Sequence, residues 1–249
     1  MLLTQAGGLE SYGATYAFVT ESTHADVIDA LRLIGARVEV GPAGVPGEGQ
    51  RRVLALANQA RHEHMLICDF DRWLHWIGSY PKELLGLLGH IERDHADAWF
   101  VCLGRSARAF ATHPVAQQLP EAATNRALSS IAGARLDATA GASWIRRAGA
   151  VCILDGSIVT TKATDLEWPG LVFREQPERV QGAFFEGLEF ETADAYREEI
   201  ATCGSLETWI IQTYDRPEVL RDRLQLATDS ITALLRVTGN ADRRTLGGW

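Results

Sequence analysis

Residues 16–68 alternate between short apolar runs and amphipathic stretches, and this alternation limits the possible folds more than any other feature of the chain. Tyr16 to Thr20 (YAFVT) reads as a strand. Ser22 or Thr23 is placed to cap the following helix, which carries Val27, Ile28, Leu31 and Ile34 on one face and stops at Gly35. Arg37 to Val40 reads as a second strand, and GPAGVPGEGQ as a glycine- and proline-rich loop. A second helix follows, with Val53, Leu56, Ala57 and Ala60 on one face, and then a third strand, Met65 to Cys68. Strands separated by helices long enough to cross over imply an α/β fold: a Rossmann-type, mostly parallel sheet flanked by helices. In such sheets ligands bind beyond the carboxyl ends of the strands. The third strand ends in Asp69-Phe70-Asp71.

Downstream, Pro81 to Ile91 is expected to be an amphipathic helix, Ala98 to Leu103 a buried strand ending at Gly104-Arg105, and Glu121 to Ile131 a helix. Ala148 to Leu154 suits helix or strand. A last long helix begins near Pro217, carries Leu220, Leu224, Ala227, Ile231 and Leu234, and ends at Gly239. The expected organisation is an α/β unit over 1–195 and a C-terminal helical annex over 196–249, whose stripe packs on its own domain or on a second subunit as a homodimer.

The chain has 249 residues, 46% of them hydrophobic, enough for one substantial core. Its formal net charge of -8 argues against a nucleic-acid surface. Cys68, Cys102, Cys152 and Cys203 are scattered without a C-x-x-C pair, as expected of reduced cysteines in a cytoplasmic protein, and offer no chelating spacing for zinc. No apolar run reaches a membrane span, and the first residues do not read as a signal peptide.

Two carboxylates one residue apart at a strand end repel each other, and a hard cation, Mg2+ or Mn2+, offsets that repulsion. A metal held by one or two carboxylates keeps positions for phosphate oxygens, which points to departure of a phosphate or diphosphate group. The alternative is that Asp69 caps a turn and Asp71 the next helix. Gly47, Gly49, Arg51 and Arg52 read either as a phosphate-approach loop opening a helix or as a solvated surface loop. Gly141-Ala142-Ser143 lacks bulk, so a ligand can lie against its backbone, and Arg146 and Arg147 follow. Asp165 and Glu167, beside Trp168, suit sugar hydroxyls, or else belong to a solvated loop. Arg105 and Arg108 suit an acidic acceptor or ordinary ion pairs. His62 and His64 form an H-x-H without an evident third ligand.

The strand-helix repeat, GEGQRR, ICDFD, DATAGASWIRR and TDLEWP together resemble the GT-A fold glycosyltransferases, over roughly residues 14–195. CDFDRWLHW, GRSARAFATHP and TDLEWP resemble a bacterial branch of them, related at a distance to enzymes that glycosylate small acids such as phosphoglycerate. The resemblance implies transfer of a sugar from a nucleotide-diphosphate sugar donor to a small-molecule or glycan acceptor, with Mg2+ or Mn2+ at the D-x-D motif. It implies that Asp71 binds the metal directly, with Asp69 facing the ribose or the metal's water shell. Arg51, Arg52, Gly141 and Arg146 would meet the phosphates or nucleotide, Glu21 the base and ribose, and Asp165 or Glu167 the acceptor. One departure is that the family's late metal-ligating histidine has no counterpart, since His113 is the last histidine. Two other readings remain at this stage. One is a non-catalytic nucleotide-sugar-binding or partner-binding module on the same fold. The other is a haloacid dehalogenase-type phosphatase, which would want Thr or Val where Trp73 stands.

Overall fold

The computed structural model describes residues 6–239. The outer ends of both expected domains, residues 1–5 and 240–249, lie outside the described residues. The fold is mixed α/β. In chain order its first half is β1 (Tyr16–Thr20), α1 (Ala25–Leu33), β2 (Arg37–Gly41), α2 (Pro46–Gln59), β3 (His64–Cys68), α3 (Phe70–Ser79), α4 (Pro81–Leu85), α5 (Leu87–Asp94) and β4 (Phe100–Arg105). There follow α6 (Ala107–Ala111), α7 (Val115–Ala132), β5 (Ala142–Arg146), α8 (Arg147–Gly156), α9 (Thr164–Glu175) and β6 (Val180–Phe185). The last helices are α10 (Arg197–Cys203), α11 (Leu206–Thr213) and α12 (Pro217–Thr238).

The strands make two sheets rather than one. β1 pairs in parallel with β2 alone, and the second sheet has the order β3-β5-β4-β6. β5 runs antiparallel to both β3 and β4, while β4 and β6 are parallel. It follows that β3, β4 and β6 all point the same way. β1 begins near the start of β3, where the Tyr16 hydroxyl meets His62 Nε2 (3.1 Å). The expected continuity of β1, β2 and β3 is therefore interrupted between β1 and β3.

β4 is buried at all six positions, from the apolar run Phe100–Leu103 through Gly104 to the charged Arg105. Its side chains alternate between two cores. Phe100 and Cys102 join a cluster with Leu54, Leu128, Ile153, Leu166 and Leu234, whereas Val101 and Leu103 face Trp73, Trp76, Leu87 and Phe185.

Several expectations change. The helix expected over Pro81–Ile91 breaks at Gly86 into α4 and α5. Ala148–Leu154 lies in a helix, α8. Asp165 and Glu167 lie not in a loop but in the first turn of α9, which runs through Pro169. On α12 the covered stripe is shifted toward the C-terminal half. Ala227, Ser230, Ala233, Leu234, Val237 and Thr238 are buried, while Leu224 is exposed. This half packs on α9, where Gly170 leaves room for Val237 and Leu234. No helix among the described residues is long and apolar enough to cross a membrane.

Candidate functional site

The parallel strands β3, β4 and β6 bring their carboxyl ends to one edge, and the polar side chains of interest collect there. Asp69 follows β3. Its N–H donates to the Gly141 carbonyl (2.9 Å), which extends the β3–β5 ladder by one step. Gly141 has φ +69°, and a Cβ there would sit 2.8 Å from Asp69 Oδ2. Only glycine meets both demands, so the lack of bulk at 141 serves the Asp69 carboxylate itself.

That carboxylate is held by Lys162, whose Nζ lies 2.7 Å from both oxygens. Asp69 occupies the N-cap position of α3, yet makes no side-chain cap bond. Asp71, in the first turn of α3, is exposed and accepts the Arg72 N–H (2.9 Å). Lys162 precedes α9, and the Asp165 N–H donates to its carbonyl (3.0 Å). Burial works against the Lys162 charge, but Asp69 and Asp165 outweigh it and hold the ammonium above its ordinary range. The same surroundings raise the Asp165 carboxyl to about 7. Burial is the main cause, Lys162 opposes it, and Asp69 adds to it. Asp165 lines a small recess of about 30 Å3 with Gln50, Gly141, Ser143 and Thr164.

Beside this recess, a cleft of about 590 Å3 separates β1 from β3. Its walls are mostly apolar, including Phe18, Leu31, Val53, Ile67 and Trp73, and Asp69 and Lys162 stand on its rim.

A second cluster sits at the end of β4. Arg105 is fully buried and takes Asp137 through Nε and Nη2 (2.8 Å each), Glu121 through Nη1 (2.6 Å), and Thr139 through Nη2 (2.8 Å). Burial would raise Asp137, but its bonds to Arg105 hold it below the usual carboxylate range. His113 is buried nearby with neither ring nitrogen bonded, and burial, with Arg105 and Arg72, lowers it to about 3. Arg72, a buried residue of α3, donates to Glu191 (3.0 Å) and to the Leu188 carbonyl (3.2 Å), tying the loop after β6 to the site.

Asp69, Gly141 and Asp165 thus share one neighbourhood, with Asp71 on its outer side. Other residues read from the sequence lie elsewhere. Glu167 has no exposed surface. It accepts from Ser157 Oγ, from the Ile158 and Val159 N–H groups (3.0 and 3.2 Å), and from Arg236. Arg51 donates to Ser157 and to the Val159 carbonyl of the same turn. Arg52 is engaged by Glu48 (2.6 Å) and Glu39 (2.8 Å). Arg146 pairs in register with His64, while Ala142 pairs with Cys68. Four residues of strand, about 13 Å, separate Arg146 from the Asp69 end. Glu21 is exposed just past β1. Arg108 bridges Glu186 (2.5 Å) and Glu189 (2.6 Å). Lys162 and Arg72 escaped the sequence reading. The one signal for Lys162 is its place one turn before Asp165 in TTKATD.

Among the described residues, no group of three or more His, Cys, Asp or Glu side chains is arranged to hold a metal. Asp69 and Asp71 supply oxygen donors, the type that Mg2+ and Mn2+ prefer, but both Asp69 oxygens are engaged by Lys162. Compared with protein-family models, curated proteins and solved structures, the chain matches none.

Proposed function

We propose that this chain is a GT-A-like glycosyltransferase that moves a sugar from a nucleotide-diphosphate donor to a hydroxyl of a small-molecule or glycan acceptor. The observation that carries the reading is the meeting of Asp69, Lys162 and Asp165 at the carboxyl edge of the parallel strands, with Asp71 exposed beside them.

Three carboxylates around one ammonium leave excess negative charge. Asp71 and Asp69 would hold Mg2+ or Mn2+ against the donor, and that ion would supply charge neutralisation for the diphosphate. Lys162 would release Asp69 as the donor arrives and turn its Nζ to the leaving phosphate, where a fixed positive charge favours bond breaking. Asp165 would accept the acceptor's proton. A carboxyl near 7 is about half ionised at neutral pH and far more basic than an ordinary aspartate. In balance, the acceptor oxygen bonds to the anomeric carbon and the carbon–phosphate oxygen bond breaks. The nucleoside diphosphate leaves with the electron pair, and the proton goes to Asp165. Glu167, Arg51, Arg52 and Arg146 have no part in this scheme.

The test is a thermal-shift screen of UDP, GDP, ADP, TDP and CDP, with and without Mn2+, on wild type and Asp71→Ala. The expected result is a Mn2+-dependent rise in melting temperature with one nucleotide, lost in the variant. A nucleotide-dependent rise with no sugar transfer or donor hydrolysis would favour the non-catalytic binding module. No rise with any nucleotide would overturn the transfer reading and leave a partner-binding module on this fold.

A further inference from the structure

The cleft between β1 and β3 is bordered by two strand edges, and the direction of each backbone amide follows from the bonds that frame it. The Arg37 N–H bonds the Thr15 carbonyl and the Glu21 N–H bonds the Gly41 carbonyl. In a parallel ladder alternate residues face the partner strand, so Ala17 and Val19 turn to β2 while Tyr16 and Phe18 turn to the cleft. On the other side, Asp69 bonds Gly141 and Arg147 bonds Glu63 across the antiparallel β3–β5 pair. Met65 and Ile67 therefore face β5, and His64, Leu66 and Cys68 face the cleft. Five backbone positions on the two strands present donors and acceptors to one space of about 590 Å3.

Both strands rest on α2. The Phe18 ring lies where a Cβ on Gly41 or Gly49 would come within 2.5 or 2.4 Å, so β1 is seated on β2 and α2. Leu54 and Ala57 of α2 share a core with Met65 of β3. A hydrocarbon in the cleft would leave the edge amides without partners in an apolar setting, which is costly. An occupant that suits the cleft brings donors and acceptors at strand spacing and carries apolar side chains toward both walls. Val27, Leu31 and Trp73 line one stretch of the wall and Val53 and Ala57 another.

We infer that the cleft is a docking site for an extended, uncharged peptide segment of about five residues, which would add as a strand between β1 and β3. Such a strand would join the two sheets into one of seven strands. The inference stands apart from the transfer reading, since it needs neither nucleotide nor metal.

The test is amide hydrogen exchange by NMR on the full chain, alone and with the blocked peptide acetyl-Val-Thr-Val-Thr-Val-amide. An otherwise identical peptide N-methylated at every amide keeps the side chains, loses its donors and is blocked by the methyl groups from pairing along either edge. The expected result is fast exchange at Tyr16, Phe18, His64, Leu66 and Cys68 in the free protein, slowed at least tenfold by the first peptide and unchanged by the second. Three results would overturn the inference. One is protection of these amides without peptide, which would mean β1 and β3 pair directly. Another is equal protection by both peptides, which would mean an apolar pocket indifferent to backbone. The third is no protection by either.

Discussion

Arg105 and Lys162 each stand against aspartates at the carboxyl edge of the sheet, but their surroundings differ. The Arg105 side chain has no exposed surface, and its three guanidinium nitrogens all find oxygen partners. The Lys162 and Asp69 side chains each keep about a third of their surface open (33% and 37%). Lys162 also sits among more carboxylates than it can neutralise. A saturated buried network fixes backbone. An unsaturated, accessible one leaves charge for a ligand to answer. The two differ in what their loss should cost.

The largest effect is expected at Arg105. Arg105→Met keeps bulk but strands Asp137 and Glu121 as uncompensated buried charges. Breaking a buried pair in this way costs about 3–5 kcal/mol. Urea melts at pH 7 should show that loss, and lowering the pH should narrow it as the two acids protonate. A loss under about 1 kcal/mol would mean the network is not structural.

Asp165 comes next and changes in the opposite direction. Its folded pKa of about 7 lies above the unfolded value of 3.8, so between those values the folded state binds more protons than the unfolded one. Stability therefore falls as pH rises through that window. Asp165→Asn should raise stability at pH 8 by about 1–3 kcal/mol, and the gain should vanish near pH 4. The same variant should lose transfer. A destabilised Asp165→Asn protein at pH 8 would show that the carboxylate is paired rather than strained.

His113 tests the borderland between the two clusters, since Arg105 and Arg72 both bear on it. Its folded pKa of about 3 lies below the unfolded value of 6.5, so acid favours the unfolded state between these limits. His113→Leu keeps an apolar body against Phe190, whose ring lies 5.7 Å away. The variant should flatten the acid limb of the stability profile and gain about 1–2 kcal/mol at pH 5. An unchanged acid limb would mean that His113 is solvated in solution.

How much of this could be read from the sequence differs by residue, for geometric reasons. Asp69 was legible because an apolar run ending in aspartate fixes a strand end without knowledge of neighbours. Asp165 and Glu167, two positions apart, look equivalent in the sequence. On a helix two positions are about 200° apart, so one faces the edge and the other the core beside Arg236. Arg146 follows Gly141 closely in sequence but lies at the opposite end of β5 from Asp69, because β5 runs against β3, which nothing local reveals. Lys162 lies 93 residues from Asp69, a pairing created only by the tertiary fold. The break between β1 and β3 was equally hidden, since a strand beside a cleft and one beside another strand carry the same apolar residues.

Lys162 should show the smallest stability change and the clearest functional one. The pair with Asp69 is partly solvated, and pairs of that kind contribute about 0–1 kcal/mol. Asp69 would also remain at the start of α3, where the helix dipole favours a carboxylate. Lys162→Met should therefore melt within about 1 kcal/mol of wild type, in contrast to Arg105→Met. If Lys162 competes with a cation for Asp69, Mn2+ alone should bind the variant at least as tightly as wild type, as read by calorimetry. If its ammonium also meets the leaving diphosphate, transfer should fall by about a hundredfold or more, a typical size for losing one such stabilising contact. A variant that unfolds would make Lys162 a second Arg105. One that folds, binds Mn2+ and still transfers would remove Lys162 from the chemistry and leave Asp71 and Asp165 to account for it.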